Sequence, residues 1–104
     1  MKNDPILQLL GLAQRSGGVS SGEFMTENCV KDGSARLVVV AQDASDRTKK
    51  TFKDMCDFYE VPICIYSTKE VLGHAIGKEF RASLAVTNEG LAGQIISKID
   101  GGSN

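Results

Sequence analysis

The chain has 104 residues, with 12 Lys plus Arg against 13 Asp plus Glu, one His, three Cys and 41% hydrophobic residues. That length fits one domain able to bury about two-thirds of its unfolded surface without metal or disulfide staples. A formal net charge of −1 excludes the strongly basic domain that is the simplest nucleic-acid binder, and also the polybasic membrane-surface protein, so any phosphate site has to be a local patch.

The first segment, from Asn3-Asp4-Pro5 to Arg15, has an acidic cap, Pro at the first turn and a broad apolar stripe that stops at Ser16-Gly17-Gly18; this predicts a helix. Val19-Ser20-Ser21 is a short extended piece. A second helix opens near Gly22-Glu23 and runs to Lys31, with Gly33 as its left-handed stop. Leu37 to Ala41 is a continuous β-branched run, the pattern of a strand buried on both faces, and it ends in Gln42-Asp43. Ser45 caps a third helix with Thr48, Phe52, Met55, Cys56 and Tyr59 at spacings of three and four. Val61 to Tyr66 is the next buried strand, with Pro62 near its start.

Ser67 and Glu70 have the spacing of a capping box, opening a short helix that carries Val71, Leu72, Ala75 and Ile76 and closes at Gly77. Phe80 to Val86 is a further strand. Asn88 caps a last helix with Leu91, Ala92, Ile95, Ile96 and Ile99 on one face. Strands and amphipathic helices alternate, so the expected fold class is α/β, a three-layer α/β/α sandwich, in one domain over residues 4–99 with a flexible tail over 100–104.

No run approaches the roughly 20 apolar residues of a membrane span, and the first residues lack a signal-peptide pattern, so the expected location is cytoplasmic, with no membrane partner. Cys29, Cys56 and Cys64 are odd in number and form no C-x-x-C pair, which suits reduced, buried thiols. Catalytic groups are few. His74 is the lone histidine, and Asp43 with Asp46 at a strand end is at best a weak Mg²⁺ or acid/base pair, equally explained by Asp46 complementing a helix dipole. The 11 glycines form no phosphate-binding fingerprint. No enzyme activity, cofactor or metal is expected.

Charge is unevenly placed. Residues 1–53 carry eight basic and six acidic groups, whereas 54–104 carry four and seven. Within the third helix, Arg47, Lys49, Lys50 and Lys53 precede Asp54, Asp57 and Glu60, the wrong order for the macrodipole. A cationic helix start is a phosphate-binding surface in the making, because side-chain charge adds to the free backbone amides; Lys49 and Lys50 are the expected contacts, the alternative being a solvated helix face.

The run Val19-Ser20-Ser21-Gly22, the stretch Ala35 to Ser45, Val61-Pro62, and Ser67-Thr68-Lys69-Glu70-Val71-Leu72-Gly73-His74-Ala75-Ile76-Gly77 together resemble the ribosomal protein L7Ae family, over about Asp4 to Ile99. The resemblance implies a mixed, mainly four-stranded sheet and binding of structured RNA, typically kink-turns, along one edge. It places that edge at Ser21, Gly22, Glu23 and Phe24, at Gln42 and Asp43, and at Lys78, Arg81 and Ser83. Family members that grip sheared G·A pairs carry Gly-x-Asn-Glu followed by a Lys. Here Phe24, Met25 and Asn28 stand at those positions, which removes polar base readout. Phe24 has two readings, a staple packed against Val19 or a stacking surface for an unpaired base. The expected function is non-catalytic binding of ribosomal or ribosome-associated RNA, the alternative being a protein-interaction module on the same scaffold.

Overall fold

A computed structural model describes residues 4–101. Helix α1 (Pro5–Arg15) starts where Asp4 accepts hydrogen bonds from the amides of Ile6 and Leu7, with Pro5 where no amide is needed. Strand β1 (Val19–Ser21) leads through Gly22 into α2 (Glu23–Lys31), and β2 (Leu37–Val40) follows. Ser45 then caps α3 (Asp46–Tyr59) by accepting from Thr48 N. The remaining elements are β3 (Ile63–Ile65), α4 (Lys69–Ala75), β4 (Ser83–Val86) and α5 (Glu89–Gly101), the last capped by Asn88 Oδ1 on Leu91 N.

The four strands form one mixed sheet in the order β1-β4-β2-β3. β4 pairs antiparallel with both β1 and β2, and β2 pairs parallel with β3. The central strands are buried at every residue, as their unbroken apolar sequence requires. α2 packs on β1, β4 and α3, while α1 packs on α4 and α5, giving helical layers on the two faces of the sheet. The core gathers Leu10, Val30, Phe52, Leu72, Leu84 and Ile95 around Val38, Val39 and Val40, all fully buried. The architecture is the expected three-layer α/β/α sandwich.

Four details differ from the sequence reading. β3 is three residues at a sheet edge, and each of them is half-exposed, because nothing pairs with its outer side among the described residues. The cap of α4 is Thr68, which accepts from Val71 N; Ser67 cannot serve, since its φ of 63° is left-handed where a capping residue must be extended. β4 begins at Ser83, so Phe80 to Ala82 belong to the preceding loop. α5 continues through Gly101, past the start of the expected tail; residues 102–104 lie outside those described.

Candidate nucleic-acid interface

Strand register decides what meets at one end of the sheet. Ser21 lies opposite Leu84, and Val40 lies between Ser83 and Ile65, so the last residues of β1, β2 and β3 and the first of β4 share an end. The chain leaving those strands is cross-tied by backbone hydrogen bonds. Gly22 N donates to Ser83 O (3.0 Å), Ala41 N to Ala82 O (2.9 Å), Gln42 N to Ser67 O (2.6 Å) and Arg81 N to Lys69 O (3.0 Å). The left-handed Ser67 is therefore what turns its carbonyl onto Gln42.

On this frame the start of α2 is unlike the other helix starts. Gly22 takes φ 93° and ψ 158°, a region essentially reserved for glycine, and it offers no side-chain cap. The amides of Glu23, Phe24 and Met25 therefore point out of the helix without a side-chain acceptor from Gly22, the arrangement that binds anions. Beside it, Arg81 Nε donates to Ser21 Oγ (3.0 Å) and Nη1 to Phe80 O (2.7 Å), which fixes the guanidinium against the end of β1. Glu23 shares a shallow groove with Ser45, Arg47, Thr48 and Thr51 of α3. A second groove is lined by Asp43, Thr68, Lys69, Glu70 and Phe80. There Asp43 Oδ1 accepts from Lys69 N (2.9 Å), so this carboxylate holds the start of α4 in place.

The expected residues divide accordingly. Ser21, Gly22, Glu23, Asp43 and Arg81 come together at this end, with Gln42 exposed beside Asp43. Ser83 is buried and its hydroxyl donates to Thr26 Oγ1, so only its carbonyl takes part, through Gly22. Phe24 is 71% exposed and is not a packed staple; Met25 and Phe80 are exposed as well. Lys78 is exposed on the turn after α4. Lys50 Nζ bonds Asp54 Oδ2 at 3.0 Å and Lys49 is half-buried, so neither lines the grooves.

Thr48 and Lys69, which line these grooves, were not among the expected residues, and Arg47 was named only as one of the cations at the start of the third helix. Arg47 and Thr51 are four apart and share a helix face with the groove, a spacing the sequence does contain. Lys69 is brought in by a bond spanning 26 residues, which leaves no local signal.

The groups considered for chemistry have other employment. Asp43 is held by α4, and Asp46 lies in the first turn of α3. Burial pushes the thiols of Cys56 and Cys64 up to about 11, away from the thiolate a nucleophile needs. No helix among the described residues is long and apolar enough to cross a membrane.

Comparison with known proteins places this geometry. The chain is 42% identical over 92 residues to the RNA-binding protein YlxQ of Bacillus subtilis (strain 168), covering 88% of this chain and 92% of that one. A solved structure of a protein with unknown function from Bacillus halodurans C superposes with a TM-score of 0.91 at 34% identity, covering 94% of this chain and 99% of the other. The Giardia lamblia 15.5kD RNA binding protein shares the fold, with a TM-score of 0.80 at 20% identity over 97% and 92% of the two chains. The family model of ribosomal protein L7Ae/L30e/S12e/Gadd45 matches residues 4–96, which spans every element that builds the end of the sheet just described. With the mixed β1-β4-β2-β3 sheet between its helical layers and the glycine-led start of α2 at its edge, the chain belongs to the L7Ae/L30e/S12e/Gadd45 family.

Proposed function

We propose that this protein binds structured RNA along the end of the sheet formed by Gly22-Glu23, Gln42-Asp43 and the loop before β4, and acts by binding, without catalysis. The observation that carries this reading is the uncapped start of α2, whose outward amides lie beside the Arg81 guanidinium held on Ser21. Amides and guanidinium suit phosphate oxygens, the first by the helix dipole and the second by its fixed fork of donors. Arg47 and Lys69 add one cation each in the grooves on either side, beside Glu23 and beside Asp43 and Glu70 respectively. Family membership and the name of the YlxQ relative support the same class of ligand. The RNA is ribosomal or ribosome-associated, and the protein works in the cytoplasm.

Phe24, Met25 and Asn28 offer no carboxylate or ammonium at the positions where kink-turn readers hold the bases. Binding is accordingly modest in affinity and directed to backbone shape. Anisotropy titrations of a labelled kink-turn RNA and of a plain duplex, over a series of salt concentrations, test this. Arg81→Ala and Arg47→Ala should each reduce the salt slope by about 1. A wild-type protein with no salt-sensitive binding to either RNA refutes the reading. That outcome is the one expected of a protein-interaction module, a reading favoured by the exposure of Phe24 and Met25 on the same edge.

A further inference from the structure

The end of the molecule away from the candidate interface carries features that RNA binding does not use. α3 begins beside that interface at Ser45 and runs 14 residues to Tyr59, so its carboxyl end lies about 21 Å away. There Phe58 is 78% exposed, the most exposed large apolar residue described, with its ring edge-to-face on Tyr59 at 4.9 Å. Asp57 and Glu60 stand at the same end, and the last turn has no basic residue. Their charges add to the negative end of the helix dipole, an arrangement that costs stability and leaves a negative potential offset in the adjoining groove only by Lys53.

This acidic end flanks an unpaired strand edge. β3 is the outer strand of the sheet, and α3 is the helix chiefly packed on it. Pro62 O accepts from Val38 N and Tyr66 N donates to Val40 O, so residues 62, 64 and 66 turn their backbone groups toward β2. The amides and carbonyls of Ile63 and Ile65 accordingly point to the open side. A groove lined by Lys53, Asp57, Glu60, Val61 and Ile63 runs alongside. β1, the other edge, differs because α1 and α2 both pack on it.

We propose that the outer edge of β3 is a docking site for an extended, Lys- or Arg-bearing segment of another protein, added as a fifth strand. Main-chain hydrogen bonds to Ile63 and Ile65 supply register, and Asp57 and Glu60, which line the adjoining groove, select positive side chains. A second copy of this chain, paired antiparallel about a two-fold axis, would set the acidic start of one β3 beside the end of the other and leave both acidic patches unmatched, which makes it a poor occupant. The acidic end of α3 lies away from the proposed RNA interface, whereas Ile65 shares the interface end of the sheet, so a segment paired along β3 enters beside Asp57 and Glu60 and ends next to the turn that holds Gln42.

The test is a titration of the ¹⁵N-labelled protein with an alternating Lys/Val peptide, an alternating Glu/Val peptide, and the Lys/Val peptide N-methylated along one edge. Saturable shifts centred on the amides of Glu60, Ile63 and Ile65, seen only with the unmethylated Lys/Val peptide, support the proposal. Asp57→Lys combined with Glu60→Lys should then weaken that binding by roughly tenfold or more; both positions are exposed, and an unchanged thermal melt confirms that the fold is kept. Shifts confined to Gly22, Lys69 and Arg81, an equal response to the Glu/Val peptide, undiminished binding of the methylated peptide, or no saturable shift overturns it. So does a concentration-dependent shift of the same amides without peptide, which would identify a second copy as the occupant.

Discussion

Replacing Gly73 by Ala separates two physical effects by sign. Gly73 lies inside α4, where helix propensity alone predicts that alanine adds about 1 kcal/mol of stability. The packing predicts the reverse. A Cβ on Gly73 would stand 2.5 Å from Glu79 O, 2.6 Å from Glu79 C and 2.9 Å from Phe80 N, against ordinary contact at 3.4–4 Å. All three atoms are backbone, so no side chain can rotate away, and the 79–80 segment must move by about 1 Å. Overpacking of this kind costs about 3 kcal/mol at the upper end of its usual range. Set against the propensity gain, the net loss is about 2 kcal/mol, or roughly 10 °C in Tm for a domain of this size. The displaced segment carries Arg81, whose amide donates to Lys69 O and whose Nε donates to Ser21 Oγ, so RNA affinity should fall along with stability. Urea denaturation and the anisotropy titration measure the two effects. A Gly73→Ala protein as stable as the parent, or more so, refutes the claim that this glycine exists to let the loop pass.

Gly22→Ala is the complementary case: a Cβ there meets nothing within 4 Å, so a loss of about 1–3 kcal/mol would come from the backbone conformation alone. Glu60 holds a left-handed φ of 60° at the end of α3, and Glu60→Gly should add about 1 kcal/mol, read as a rise in urea midpoint at constant slope. Tyr66→Phe removes the 2.6 Å hydrogen bond from the phenol to Asp4 Oδ2 and should cost about 1.5 kcal/mol. In the parent protein, burial and then the Asp4 hydrogen bond raise the Tyr66 hydroxyl to about 12, above its ordinary 10. Its contribution is therefore complete below pH 10 and lost as pH rises toward 12, an alkaline loss that a pH series of denaturation curves should find reduced in Tyr66→Phe. Cys56 and Cys64, raised to about 11 by burial, should react with iodoacetamide at neutral pH far more slowly than an unfolded control.

What could be read from the sequence follows from the range of the forces involved. Helix starts were legible at Asp4, Ser45 and Asn88 because a cap and its amide partners are neighbours in the chain. β2 was legible because burial on both faces demands an unbroken apolar run. The misreadings were non-local. Val61 to Tyr66 is as apolar as β2, yet only pairing order shows that β3 is an edge. Likewise Ser83 and Gln42 look alike as polar residues at strand ends, and only packing separates the one buried under Thr26 from the one left exposed. The charge order along α3 belongs to neither class. After Asp46, four cations lead and three acids follow, opposite to what the helix dipole favours, and the exposed Lys50–Asp54 pair offsets little of the cost. The fold gives that order a use. It sets the start of α3 beside the amides of α2 and the end of α3 beside the open edge of β3, so the two halves of one helix face two different surfaces. A net charge of −1 over the whole chain thus conceals a local cationic patch and a local anionic one. Exchanging the two charge blocks would keep the net charge and improve the dipole match, so it should stabilise the isolated protein while lowering the salt slope of RNA binding by about 1, the share of Arg47, with the part carried by Arg81 and Lys69 kept.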